Sequence, residues 1–534
     1  MTPSFNLVDE PWIPCLFAHG DTDELCLYDA LARAHEIREI FDSSPLVVTT
    51  LHRLLLAILH RNFGPESLTD WKKLWQRGHW DEATLRGYFN QWRHRFDLFH
   101  PERPFYQVPE MKNDEEQPIQ KHPVHLLALE ASAGNNPTLF DHSFSTAPAT
   151  FTPARAARYL VACQAFALGG GVSQPENFTH APLVRGYSIL VLGNTLFETL
   201  ALNMHGYTKE RPIAWQGKDD PPVWEQEPQP QPSKGSVKPK GYLDYLTWQS
   251  RRIYLVPEPR PGLVKHCQIL QNRRLADDFY QDPFMAYKKD EKRGILPRKI
   301  DPEKALWRDC QALFELPGAD SAFLRPEIFN WVARSIESSR NLCFALGGLG
   351  ADRAKVFLWR QERLPLPLTY LENVDLLGRL KGALSLAEEV SRTLKNHLRD
   401  VAKGILDPAT DLHKARKPDS KAQRQAVDNL LKTWAPDRLY FSQLEAPFRR
   451  LLVELPNDRQ KDEDGDLEYG GKELPQWGQV LQRAASKSFE TISAGLGGSP
   501  RALKAVAQVE DRFRAALYQE IRKLSPGGKH EAEE

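Results

Sequence analysis

The sequence predicts an α+β chain, with a large mixed α/β N-terminal domain over residues 1–367 and a C-terminal antiparallel four-helix bundle over residues 368–534. Three observations predict it. Up to residue 367, apolar runs at helical spacing alternate with short strand-like runs closed by glycine or proline. Pro365 and Pro367 then mark a change of composition. Beyond them Leu376, Leu380, Leu384, Ala387, Val390, Leu394, Leu398 and Val401 recur in steps of three and four, the seam of a long amphipathic helix.

In chain order, residues 5–14 (FNLVDEPWIP) read as an extended element with a proline-bounded turn, and residues 25–31 open a helix. Over residues 45–63, Leu51, Leu54, Leu55, Ile58 and Leu59 share a helical face that Gly64 and Pro65 end. A helical region with Trp71, Trp75, Trp80 and Trp92 follows and runs out at HPERPFYQ (100–107), where His100 reads as a capping or packed side chain. Residues 131–152 are small, polar and too long for a hairpin turn, which marks a candidate functional loop. Pro153 suits the first turn of a helix that delivers Gly169, Gly170 and Gly171. The run reads either as a tight surface turn or as a loop presenting backbone N–H groups to an acceptor-rich partner.

Residues 187–200 read as strand then helix, and 216–240, rich in Pro, Gln and Lys, as an exposed linker. Strands are expected over 252–256 and 264–271. Between them and residue 300, Lys288, Lys289, Lys292, Arg293, Arg298 and Lys299 mark a basic hairpin that also reads as an ordinary solvated one. A strand over 342–346 meets a second glycine cluster, Gly347, Gly348 and Gly350, expected to form a loop with Asp352 and Arg353 at its tip. In the C-terminal domain further helices are read over 422–434, 439–455, 477–492 and 500–524.

The chain of 534 residues is 41% hydrophobic and 26% charged, has no run near 18 apolar residues, and opens without a basic-then-apolar leader. These features predict a soluble cytoplasmic protein. The six cysteines never stand at CxxC spacing, which favours reduced thiols over a zinc site. Seventy basic and seventy acidic residues cancel, so any nucleic-acid binding must come from local patches. The motifs GxxxxGK[ST], HExxH and GxSxG are absent, GLGADR (348–353) has arginine where a dinucleotide fingerprint needs glycine, and 458–466 lacks an EF-hand acid. Such a chain is expected to be a binder without cofactor, not an enzyme.

Taken together and in order, FNLVDEPWIP, DALARAHEIREI, HPERPFYQ, the series 131–186 and GGLGADRAKVFLWR resemble the CasA family, the large subunit of the type I-E CRISPR Cascade complex. The resemblance runs through nearly the whole chain. It implies a subunit at the foot of an RNA-guided complex that recognises the protospacer-adjacent motif in double-stranded DNA from the minor groove, helps open the duplex and recruits the helicase-nuclease. Its implied partners are the other Cascade subunits, the 5′ handle of the CRISPR RNA and duplex DNA. Carried over, Gly169, Gly170 and Gly171 form the glycine loop, Arg273 the basic finger (Gln268 in a gapless match), and Asp352 and Arg353 the wedge. Leu139 and Phe140 begin the loop toward the guide handle and motif. Lys288, Lys289, Arg392, Lys395, Arg399, Lys414, Arg416 and Lys417 form the basic path for the displaced strand. The competing reading is a helical-bundle scaffold whose glycine loops are only turns.

Overall fold

Pro45–Phe63 is the helix around which the first part of the chain is built. Ser44 caps it by accepting from the Val47 N–H at 3.3 Å, Pro45 occupies its first turn, and Gly64 follows its end. It is buried nearly all round, polar Thr50, His52, Arg53 and His60 included. Burial of these groups is tolerable only with partners. Thr50 Oγ1 donates to the Leu46 carbonyl at 2.8 Å, and Arg53 pairs with Asp282 at 3.0 Å while donating to the Leu246 and Tyr245 carbonyls.

The computed structural model describes residues 4–112, 118–130, 150–170, 177–206, 220–227, 235–258, 262–276, 281–318, 321–352, 355–406, 420–461 and 467–522. The chain divides into two compact units, Met1–Lys304 with Pro317–Leu366, and Ala305–Leu316 with Pro367–Glu534. Helices and mostly antiparallel sheets make the first unit, as expected of the α+β class.

In the first unit, Thr22–Leu25, Ile13–Phe17 and Ile37–Ile40 form one antiparallel sheet. His122–Pro123, His266–Gln271 and Arg251–Leu255 form a second. Lys355–Leu366, Leu342–Asp352 and Ser188–Leu192 form a third, and Gly294–Pro297, Tyr287–Asp290 and Phe323–Leu324 a fourth. The Trp-rich helices Leu68–Arg77 and Glu82–Trp92 bury Trp71, whose indole N–H donates to the Ala201 carbonyl at 2.8 Å. His100 Nδ1 accepts from the Glu102 and Arg103 N–H groups, the local capping role expected of it.

Three expectations are corrected. Residues 220–227 are no exposed linker. Asp220 is fully buried and accepts from the Leu243 and Asp244 N–H groups, Trp224 is buried, and Glu225 pairs with Arg61 at 2.8 Å. The second glycine cluster is no loop either, because Gly347, Gly348 and Gly350 lie inside strand Leu342–Asp352, opposite Gln361, Arg360 and Leu358. The helix read over 439–455 is two, Pro436–Phe441 and Glu445–Glu454.

Among the described residues the second unit is helical apart from the short hairpin Arg459–Lys461 and Leu467–Tyr469. Val374–Leu406 touches Lys421–Trp434, Glu473–Gly495 and Pro500–Arg522. Ala305–Leu316 belongs here too, which the sequence did not reveal. Trp307 is 1% exposed, its ring 4.8 Å from that of Phe448 and 6.0 Å from Phe441. Arg308 lies 3.5 Å over the Phe441 ring and is bidentate to Glu388. No described helix is long and apolar enough to cross a membrane.

Candidate nucleic-acid interface

The glycine loop leaves helix Pro153–Phe166, capped by Thr152 Oγ1, and its two limbs close on each other. The Ala181 N–H donates to the Ala167 carbonyl at 2.9 Å and the Gly170 N–H to the Phe178 carbonyl at 3.0 Å. The Gly169 N–H donates to His180 Nδ1 at 3.0 Å. A Cβ at Gly169 would stand 2.9 Å from the His180 nitrogen and 3.0 Å from the Thr179 carbonyl carbon, so only glycine lets the limbs meet. Gly170 is exposed at φ +102°. Both described N–H groups are thus engaged inside the loop. This corrects the expectation that they point outward to an acceptor.

Arg251 ties the limbs together from behind. Its Nη2 donates to the Leu168 carbonyl at 2.7 Å and the Thr179 carbonyl at 2.8 Å, and its guanidinium covers the Phe178 ring at 4.7 Å. Gln271 Oε1 accepts from the Thr179 N–H at 2.8 Å, and Gln164 Oε1 from the Arg251 N–H at 2.9 Å. Burial lowers the Arg251 guanidinium to about 10, still charged at neutral pH. Sequence reasoning missed Arg251, Gln164 and Gln271. The available signals were an arginine pair opening a strand and a glutamine inside an apolar helix.

Arg273 does not project as a finger. It makes a bidentate pair with buried Asp244, at 2.7 and 3.2 Å, and lies 4.0 Å over the Trp248 ring. Gln268, the gapless alternative, is fully buried and bonds the Met111 N–H and the Met111 and Ile119 carbonyls. Lys288 is exposed on the basic hairpin, whereas Lys289 Nζ donates to the Gly318 carbonyl at 3.2 Å.

The long hairpin runs to Asp352 and returns from Lys355. Its glycines let the strand lie close under neighbours. A Cβ at Gly347 would stand 2.1 Å from Thr49 Oγ1, and one at Gly348 would stand 2.8 Å from Ile300 Cδ1. Of the remaining expected residues, Leu139, Phe140, Gly171, Arg353, Lys414, Arg416 and Lys417 lie outside the described residues. In the helical unit Arg392, Lys395 and Arg399 are exposed, Lys395 paired with Asp437 and Arg399 with Asp428 at 3.2 Å.

One apolar cluster gathers the roots of these elements. Phe166 and Leu168 come from the base of the glycine loop, and Leu129 from just before residues 131–149. Met285 and Tyr287 come from the lysine hairpin, and Leu349 and Val356 from the far half of the long hairpin, with Leu46 of the central helix among them. Four segments remote in sequence therefore share one apolar base.

A family model described as CRISPR-associated protein Cse1 matches residues 6–488. The chain belongs to the Cse1 (CasA) family. CRISPR-associated protein CasA/Cse1 of Thermus thermophilus is 33% identical to this Cse1 chain over 528 residues, 96% of this chain and 97% of that relative. The crystal structure of Thermus thermophilus CasA superposes with a TM-score of 0.78 at 28% identity, covering 96% of this chain and 99% of that one. A chain of a CRISPR RNA-guided surveillance complex has the same fold, with a TM-score of 0.75 at 22% identity and coverage of 97% and 100%. The likeness to the CasA large subunit of Cascade, read from the motifs, therefore holds.

Proposed function

We propose that this Cse1-family chain is the non-catalytic large subunit of a type I-E Cascade complex that recognises the protospacer-adjacent motif in double-stranded DNA through the minor groove. It promotes duplex opening and R-loop formation and recruits the helicase-nuclease. Its partners are the other Cascade proteins, the CRISPR RNA with its 5′ handle and the target duplex, in the cytoplasm. The observation that carries the reading is the shared apolar cluster that joins the base of the glycine loop, Leu129, the lysine hairpin and the long hairpin. A motif reader needs several thin or basic probes held on one rigid support.

With zero net charge the chain scans duplexes weakly, and phosphate contact from its partners supplies most affinity. With its N–H engaged by the Phe178 carbonyl, exposed Gly170 approaches the minor groove by close backbone contact and not as a donor, and the degenerate edge pattern there makes motif reading tolerant. Arg353 then enters between base pairs. Unstacking one step costs a few kcal/mol, recovered from guide pairing, which also reads the rest of the target. Arg273 must leave Asp244 before it can reach DNA, so Lys288 is the cation ready for the backbone. The helical unit forms an antiparallel four-helix bundle that holds the displaced strand along Arg392, Lys395, Arg399, Lys414, Arg416 and Lys417.

The test is target binding by the guide-RNA complex with and without a correct adjacent motif, and with Arg353→Ala. The variant is expected to lose at least tenfold on closed duplexes and little on targets already melted beside the motif. Equal binding with and without the motif would leave the scaffold reading in place.

A further inference from the structure

Behind the glycine loop, on the other side of strand Arg251–Leu255, lies a cleft open to solvent. Among the described residues Arg95, Arg103, Arg252 and Arg273 line it with Glu102 and Glu227, and of the four arginines Arg273 is already paired with Asp244 beneath. Arg252 is half-buried and makes no side-chain hydrogen bond or ion pair among the described residues. Arg95 is 6% exposed, and its Nε is buried without a partner. Desolvating guanidinium groups without matching anions is unfavourable, and a cleft that keeps them so is short of negative charge.

The partner that is present points the same way. Glu227, 74% exposed, accepts from Arg103 at 2.7 and 3.0 Å and from Arg95 at 3.3 Å. A carboxylate on an arginine fork occupies the place and geometry of a phosphate. Beside it the side-chain amide of Asn272 has no partner among the described residues, and Gln249 presents its Oε1 while its Nε2 donates to the Tyr106 carbonyl at 3.2 Å. Tyr106 is held at φ +57°, a rare conformation for a bulky residue, with its carbonyl also accepting from Gln164 at 3.3 Å. Such backbone persists where the surroundings fix it, and it collects at ligand clamps.

We propose that this cleft binds a nucleotide, the phosphate on Arg95, Arg103 and Arg252 in place of the Glu227 carboxylate, and the base against the Asn272 and Gln249 amides. The nucleotide is either free or one unit turned out of a single strand. The site does not depend on motif reading, and its test uses the purified full-length chain without guide or target.

Binding of 5′-AMP, inorganic phosphate, adenosine and short single-stranded RNA and DNA is measured by calorimetry at low salt. AMP is expected to bind saturably, at least tenfold more tightly than either phosphate or adenosine. Arg252→Gln, which removes no internal partner, is expected to lower AMP affinity about tenfold with an unchanged melting temperature. Glu227→Gln is expected to raise it several-fold by removing the competing anion, and exposed Lys72→Gln to leave it unchanged. Single strands binding more tightly than AMP, with the same Arg252→Gln loss, identify a strand as the source; strands binding no better identify a free nucleotide. Adenosine binding as well as AMP, phosphate binding as well as AMP, no saturable binding, or a full affinity in Arg252→Gln each overturns the proposal.

Discussion

The two glycine clusters look alike in sequence and do opposite jobs in the fold. At Gly169 the missing Cβ lets two limbs of one loop touch, and exposed Gly170 turns into the left-handed region. At 347–350 no glycine of the cluster has a positive φ. Those residues are extended, paired on both sides in part, and glycine is required by what lies above them, Thr49 on the central helix and Ile300. The first cluster shapes a surface; the second seats a strand. A run of glycines therefore marks close approach, and only its neighbours in space say whether a loop or a core is approached.

This contrast can be broken most severely at Arg251. Arg251→Leu leaves the Leu168 and Thr179 carbonyls without their shared donor, and a loss on the order of 3 kcal/mol in unfolding free energy is expected by denaturant titration. Hydrogen exchange at Gly169 and Gly170 is expected to speed up with it, while exchange along Leu342–Asp352 stays slow; equal acceleration in both would remove the distinction.

A smaller effect separates the two clusters directly. Gly347→Ala drives a Cβ into Thr49 Oγ1 and is expected to cost about 1–3 kcal/mol in stability, most of it restored by Thr49→Ala in the double variant. Gly169→Ala meets the backbone of Phe178, Thr179 and His180, so no single side-chain truncation is expected to rescue it. In the guide-RNA complex it is expected to lower binding to motif-bearing duplexes by at least tenfold, whereas the Gly347→Ala, Thr49→Ala pair binds normally.

The smallest effect lies beneath the second cluster, where His52 and Gly347 line one small cavity. The His52 Nδ1–H donates to the Val48 carbonyl at 2.8 Å, and burial lowers the imidazole from its usual 6.5 to about 4, against smaller upward pulls from that hydrogen bond and from Glu39. The folded state thus takes its proton later than the unfolded one. Stability from this group is full above about pH 6.5 and declines as the pH falls toward 4, by about 1 kcal/mol at about pH 5.5. His52→Gln is expected to flatten the melting-temperature profile over that window by this amount, and an unchanged slope would mean the histidine is charged in the fold.

Local features were legible in the sequence. The helix Pro45–Phe63 is bounded by the serine, proline and glycine signals that its apolar spacing led one to look for. Five motifs in order, from FNLVDEPWIP to GGLGADRAKVFLWR, carried the family. What escaped depends on contacts distant along the chain. Nothing near Arg251 announces that it will hold carbonyls 83 and 72 residues away. Residues 220–227 have a linker's composition, yet Asp220 serves as a buried cap for the first turn of helix Tyr242–Leu246. Gly347 in its strand reads like a turn because the reason for it, Thr49, lies on another element. Arg273, chosen for its charge, has its carboxylate partner 29 residues upstream.

Ala305–Leu316 gives the helical unit a discontinuous blueprint. A fragment starting at Pro367 would contain every long helix and still lack the indole of Trp307 and the fork of Arg308, leaving a vacant socket among Phe441, Phe448 and Glu388. The helical unit therefore completes its core only after the chain has made an early deposit in it, returned to the first unit for the long hairpin, and come back. Synthesis from the N-terminus delivers the plug before its socket, so the two units cannot mature as independent beads on a string.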